Sequence, residues 1–219
     1  MNLITYLGNS FFDNEYYQIK RKRLTEYNDD ISNKEQTLLQ SCSHDNLSRY
    51  VMSFYLNRSI YIFFSATSTT LHKSLPIKNQ PKALGIFLQL CKGVKYLHDK
   101  NLVYGIFNSQ GIFVNKNRAF LSMNNLYEVN KYGAAKNYKE KRVLVQSANG
   151  DWYLPPEESF SKEGDVWSLG ILLHEIITGM LPFNKKDGRF QLFEDCIDPF
   201  LTKILQRALR RDPIIRIKL

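Results

Sequence analysis

Cysteine is scarce in this chain, and long apolar runs are missing. Three cysteines in 219 residues, Cys42, Cys91 and Cys196, are odd in number, far apart and without metal-ligand spacing. They read as reduced thiols, which excludes a disulfide scaffold and gives no metal site. No stretch reaches the roughly 18 consecutive apolar residues that a membrane span needs. Met1-Asn2-Leu3-Ile4 lacks the basic-then-apolar layout of a secretory signal. The expectation is a cytoplasmic protein with no membrane partner, in which the Asn-x-Ser matches at Asn46 and Asn57 go unused.

Carboxylates are also in short supply. Thirty Lys and Arg face 21 Asp and Glu, for a formal charge of +9. Such an excess raises the reading of a basic nucleic-acid-binding protein. Its densest run is Lys20-Arg21-Lys22-Arg23, with a looser set at Lys136, Lys139, Lys141 and Arg142. Neither alternates with aromatics, and no finger or helix-turn-helix pattern occurs, so solvated charge is the better reading and no nucleic acid is expected. The abundance of Asn, Lys, Ile and Tyr fits an AT-rich coding genome, such as that of a parasite or a large DNA virus.

What is present suits a globular chain: 43% hydrophobic and 13% aromatic residues. The first third reads as strand-rich. Tyr16 to Lys20 is a strand and Asn28-Asp29-Asp30 a turn. A helix fits Asn33 to Cys42, with Ser32 as N-cap and Glu35 completing a capping box. Arg49–Tyr55 and Ile60–Phe64 form a hairpin around Asn57-Arg58-Ser59, and Ser65 to Thr70 is a linker. From Leu84 the period changes. Leu84, Phe87, Leu88, Cys91, Val94 and Leu97 mark one face of a helix. Strands follow at Gly111–Asn115 and Ala119–Met123, then a basic irregular segment to Gly150. Asp165 to Thr178 is apolar on all sides, hence a buried helix, which Gly179 ends. A last helix covers Phe200 to Arg210. The expected fold is α+β and two-lobed: a strand-rich lobe over residues 1–66 and a helical lobe over 67–219.

The second lobe carries a specific resemblance. Tyr153-Leu154-Pro155-Pro156-Glu157, then Asp165-Val166-Trp167-Ser168-Leu169-Gly170, then Glu175, Thr178-Gly179 and Pro182-Phe183, resemble the end of the activation segment and the central helix of protein kinases. Asp212-Pro213 with Arg216 and the helix ending Tyr96-Leu97-His98 fit the same family. The resemblance implies that Glu157 and Arg216 form a buried bidentate salt bridge. It implies that Asp165 accepts backbone N–H bonds from the catalytic loop, and that His98 and His44 are packing residues.

Phosphoryl transfer in that family uses a carboxylate base, metal ligands on two loops and a lysine on the phosphates. Where kinases read H-R-D-L-K-P-x-N-I-L, this chain has Tyr104-Gly105-Ile106-Phe107-Asn108-Ser109-Gln110-Gly111-Ile112-Phe113. The base position is Ile106, the lysine is Asn108 and the metal-binding asparagine is Gly111. Met123-Asn124-Asn125 stands for D-F-G, and a thioether is a poor ligand for Mg²⁺. Leu7-Gly8-Asn9-Ser10 resembles a degraded glycine-rich loop, and only a dozen residues separate Gly8 from Lys20, so part of the small-lobe sheet is expected to be missing. Lys20 and Glu35 match the strand lysine and helix glutamate of kinases, as a pair that fixes the helix rather than a nucleotide. The chain stops soon after Arg216, so shortened terminal helices are expected as well. The expectation is therefore a pseudokinase: no enzyme, no cofactor, no metal, and weak or no ATP binding.

Within the tyrosine-kinase-like branch, the chain resembles the pseudokinase domain of mixed lineage kinase domain-like protein, the necroptosis executioner. Gly105 in H-R-D, Ser109, and Lys141-Arg142-Val143 ahead of Tyr153-Leu154 carry that resemblance. It implies a decoy of viral origin that sequesters a host receptor-interacting kinase and blocks necroptosis. Alternatives are a mimic of an eIF2α kinase and, from Lys34 to Leu47, one of a stress-sensor kinase. The expected partner surface is the helix Asn33 to Cys42 with Lys139, Lys141 and Arg142.

Overall fold

The computed structural model describes residues 3–10, 13–23, 36–105, 107–123, 127–128, 150–157, 159–183, 190–192 and 198–219. Four strands open the chain: β1 (Leu3–Asn9), β2 (Tyr16–Arg23), β3 (Tyr50–Leu56) and β4 (Ser59–Ala66). They form one antiparallel sheet in the order β1-β2-β4-β3. On β4, Ile60, Ile62, Phe64 and Ala66 alternate into the core, as a half-buried strand requires. Their direct neighbours on β2 are polar: Lys22 lies opposite Ile60, Lys20 opposite Ile62 and Gln18 opposite Phe64. All three are buried, so the aliphatic stems of the lysines cover the inner face of the sheet.

The hairpin between β3 and β4 is a two-residue loop. Asn57 and Arg58 have φ of 48° and 54° and Leu56 pairs with Ser59, the arrangement of a type I′ turn. A helical stretch over residues 36–41 precedes β3, with Leu39 and Cys42 in the core. The expected turn at Asn28-Asp29-Asp30 and the helix start from Ser32 to Glu35 lie outside the described residues.

The helical part is built on α1 (Gln80–Asp99), α2 (Lys162–Thr178) and α3 (Pro199–Ala208). Each starts on a side-chain cap: Asn79 accepts from Lys82 N–H, Ser161 from Gly164 N–H, and Asp198 from Phe200 and Leu201 N–H. Burial on α1 follows Ala83, Ile86, Phe87, Leu90, Val94 and Leu97, while α2 is buried on nearly all sides. Gly179 ends α2 at φ 73°, the left-handed conformation that glycine adopts without strain. Between α1 and α2 lie β5 (Leu102–Val103), β6 (Ile112–Asn115), β7 (Arg118–Leu121) and β8 (Tyr127–Glu128), paired as β5 with β8 and β6 with β7.

The sheet joins the helical part through the segment after the 36–41 helix. Leu121 N–H donates to Asn46 C=O at 2.9 Å, and Ser48 N–H donates to Leu121 C=O at 2.8 Å. The Asn46 amide donates to Ala119 C=O and to Gln89, and Gln89 in turn bonds the backbone at Asn117 and Ala119. No helix among the described residues is long and apolar enough to cross a membrane.

The α+β plan is the one expected, with corrections at the boundaries. Leu7-Gly8-Asn9 is not a phosphate-binding loop but the end of β1, paired with Gln18, Tyr17 and Tyr16. Gly8 has no close neighbour that a Cβ would strike, so no close approach demands glycine there. The strand Tyr16–Lys20 continues to Arg23, and β4 takes in Ser65 and Ala66, which shortens the expected linker. Helix α1 begins four residues before Leu84, because Asn79 caps it and Pro81 suits a first turn. Helix α2 likewise starts at Lys162 on Ser161, and α3 closes at Ala208 instead of Arg210.

Candidate functional site

The segment between β5 and β6 is held from below by α2. Asp165, in the first turn of α2, is 1% exposed and accepts N–H bonds from Tyr104 and Gly105 at 2.8 Å each. Its third contact is His98 Nε2, also at 2.8 Å. His98 is therefore a polar partner of Asp165 at the end of α1, and the expectation of simple packing is corrected. Three contacts satisfy a carboxylate that would be costly to bury alone. Gly105 sits at φ 80°, the left-handed region that glycine adopts without strain, so the chain can turn directly after its N–H has bonded Asp165.

Tyr104 and Phe107 are fully buried and meet edge to face at 4.7 Å, anchoring the segment on both sides of position 106. Asn108 accepts from Gln110 N–H at 2.8 Å and caps the short helical turn Ser109–Gly111. A Cβ at Gly111 would meet nothing within 4 Å, so the absence of a ligand-bearing side chain there is chemical, not steric. Met123 is buried, and its N–H donates to Ser48 Oγ at 2.8 Å. Beside it the Ser122 hydroxyl bonds Gln18 on β2, two residues from Lys20 on the same inner face. Lys20 itself is buried. Glu35, Ile106, Asn124, Asn125, Lys139, Lys141 and Arg142 lie outside the described residues, so the Lys20–Glu35 pairing and the basic segment have no geometry here.

Glu157 and Arg216 are brought together. The guanidinium donates to both carboxylate oxygens, at 2.5 and 2.6 Å, with the Arg216 side chain fully buried. Arg216 also donates to the carbonyls of Arg210, Arg211 and Glu163, and its guanidinium lies 5.2 Å from the Trp167 ring. All five N–H donors of the fork are used.

Sequence reasoning missed one cluster. Glu175, late in α2, accepts hydrogen bonds from the Tyr153 hydroxyl and, at 3.0 Å, from Ser109 Oγ. His72 Nδ1 lies 3.2 Å from Ser109 Oγ and 4.0 Å from Glu175. Burial pushes the Glu175 carboxyl up, against the hydrogen bonds of Tyr153 and Ser109, which pull it down. Burial and the adjacent carboxylate push the Tyr153 phenol up. These residues are distant in sequence, and no local pattern signals their meeting. His44 Nδ1 accepts from Asn46 N–H at 3.0 Å and its ring packs on Tyr96, a turn-forming role.

Among the described residues, no group of three or more His, Cys, Asp or Glu side chains could hold a metal ion. Mg²⁺ takes hard oxygen ligands; Gly111 and Met123 offer none from their side chains, so the described donor set does not fit that ion.

The chain matches the Protein kinase domain family over residues 10–214. It is 24% identical to the mouse "Serine/threonine-protein kinase Nek5", over 93% of this chain and 34% of that protein. It is 26% identical to the mouse "Serine/threonine-protein kinase Nek1", over 92% of this chain and 18% of that protein. An "Aurora kinase" of Yarrowia lipolytica is 26% identical over 92% of this chain and 57% of that protein. The chain thus spans about a third or less of the length of the two Nek relatives.

These names overturn the expectation that the chain is no enzyme: the relatives are named as kinases, and they point to one. The physical reason lies in the reaction. Phosphoryl transfer passes through a loose transition state, so catalysis rests on positioning and electrostatics. An isoleucine at position 106 therefore changes the means available without excluding the reaction class.

Proposed function

Because this chain belongs to the protein kinase family, we propose that it acts by binding another protein kinase through its kinase fold. One observation carries the reading. Asp165 and the Glu175 cluster hold Tyr104, Gly105 and Ser109 in place, while Ile106, Asn108 and Gly111 stand at the positions where kinases carry their reactive groups. Shape is retained where chemistry has changed, and a retained shape serves recognition. The finer reading is a decoy in the host cytoplasm that sequesters a receptor-interacting kinase and so blocks necroptosis. It rests on Gly105, Ser109 and the Lys141-Arg142-Val143 spacing, which resemble the necroptosis executioner's pseudokinase domain. A mimic of an eIF2α kinase or stress-sensor kinase uses the same fold with a different partner.

A second reading, phosphoryl transfer by the chain itself, is favoured by the names of its relatives. One experiment separates the two. The tagged protein is used to capture kinases from vertebrate cells, and the same preparation is incubated with γ-labelled ATP and a general acceptor protein. Capture of a receptor-interacting kinase, with reduced phosphorylation of the host executioner, supports the decoy. Capture of an eIF2α kinase moves the role to translational control. Label transfer that persists in purified protein without any captured kinase supports the enzyme. Charge reversal at Lys139, Lys141 and Arg142 should weaken capture, and unchanged capture removes that segment from the interface.

A further inference from the structure

The last 21 residues, 199–219, hold six cations and a single carboxylate, Asp212. Arg216 is committed to Glu157, and Asp212 caps the turn Pro213–Ile215 by accepting from Ile214 N–H. That leaves Lys203, Arg207, Arg210, Arg211 and Lys218, all exposed, with no ion pair to a described residue. Phe200, Lys203 and Arg207 follow at helical spacing along the exposed side of α3, opposite buried Leu201, Leu205 and Ala208. After α3 the chain folds back, so that Ile217 N–H donates to Arg207 C=O. Arg210, Arg211 and Lys218 thereby flank the turn that carries Ile214 and Ile215.

Those two isoleucines are the unusual feature. Ile214 is 83% exposed and Ile215 60%, while Phe200 at the other end of α3 is 65% exposed. The turn therefore presents two adjacent aliphatic side chains, each more than half exposed, that no described residue covers. Between basic residues, they match the two layers of an anionic bilayer surface: phosphates outside and acyl chains just beneath. A flat acidic protein surface would satisfy the cations and leave the isoleucines in water.

We propose that this end of the fold is a peripheral membrane surface. Ile214 and Ile215 enter the interfacial layer of an anionic phospholipid bilayer, while Arg207, Arg210, Arg211 and Lys218 contact lipid phosphates. The surface is independent of the kinase-binding reading and departs from the sequence-based expectation of no membrane partner.

The test is co-sedimentation of the whole chain with vesicles of phosphatidylcholine alone and of phosphatidylcholine with phosphatidylserine. Binding to the anionic vesicles should exceed that to the neutral ones at least tenfold, and should fall steeply as salt rises from 50 to 300 mM, as screening requires. Ile214→Ser with Ile215→Ser should lower anionic-vesicle binding about tenfold at unchanged net charge and unchanged melting temperature. Arg210→Glu with Arg211→Glu should abolish it. Equal binding to both vesicle types, or to neither, overturns the proposal. So does a serine variant that binds like the parent, since the site would then be an electrostatic patch for an acidic protein or nucleic acid.

Discussion

Arg216 and Glu157 meet fork to fork across 59 residues of sequence, at 2.5 and 2.6 Å, and the arginine side of the pair is fully buried. This contact ties the chain after the expected activation segment to the turn that follows α3. Breaking a buried pair strands the remaining charge, at a cost of about 3–5 kcal/mol. Arg216→Ala should lower the unfolding free energy by that order in urea denaturation. Arg216→Lys should recover less than half, because an ammonium cannot make the bidentate contact or serve the three carbonyls. A loss below about 1 kcal/mol would mean the pair is not formed in solution.

Asp165 organises the loop between β5 and β6 through two N–H groups and His98. Asp165→Asn removes the charge and turns an amide donor toward a donor. The expected loss is about 2–3 kcal/mol, since hydrogen bonds to a buried charge are stronger than neutral ones. Hydrogen exchange should show the amides of Tyr104 and Gly105 losing protection before those of α2. Uniform loss across the protein would deny the loop its special dependence on this residue.

Glu175 is an acid whose folded pKa is raised above its ordinary 4.5, chiefly by burial. A raised carboxyl binds its proton more tightly in the folded than in the unfolded chain. The stability that this contributes is fully present below 4.5 and is lost as pH rises through the folded value. Glu175→Gln should therefore flatten the difference in melting temperature between acid and neutral pH, and should gain relative to the parent at pH 7. A difference between parent and variant that does not change with pH would show that the Tyr153 and Ser109 hydrogen bonds cancel the desolvation, and a parent that loses stability relative to the variant on acidification would show that they outweigh it.

Gly93 and Gly170 let helices approach their neighbours closely. A Cβ at Gly93 would lie 2.9 Å from the Asn46 carbonyl oxygen, and one at Gly170 would lie 2.8 Å from Leu209 Cδ2. The first obstacle is backbone and the second a side chain, so the two alanines should differ. Gly93→Ala should cost about 1–3 kcal/mol by overpacking, and Gly170→Ala less, because a leucine can turn away. Melting temperatures of the two variants check the order, and the reverse order would mean that the Asn46 turn yields more readily than the α3 end.

Much of the architecture was legible because it is written in local periods. The all-round apolar stretch from Val166 to Ile177 could only be a buried helix, and Asn57-Arg58 between two β-branched and aromatic runs could only be a tight hairpin. Glu157, Asp165 and Arg216 were legible as a set because their surrounding motifs are distinctive. The end of β1 was misread, since a short Gly-Asn stretch has the same composition in a loop as at a strand end. The start of α1 was missed because Asn79-Gln80-Pro81 precedes the first apolar residue of the period.

The sequence by itself determined the α+β plan, the family, and which residue types stand at positions 106, 108, 111 and 123. Composition and spacing are local properties, and they survive without coordinates. Only the tertiary structure decided that His98 partners Asp165, that Glu175 gathers Tyr153, Ser109 and His72, and that Asn46 and Gln89 clasp the β6–β7 hairpin. Each of these contacts joins residues far apart in the chain, where no repeat or spacing links them. Packing of α1 against α2, β5 and β7 brings them within reach, and the cost of burying an unpaired polar group then dictates who pairs with whom.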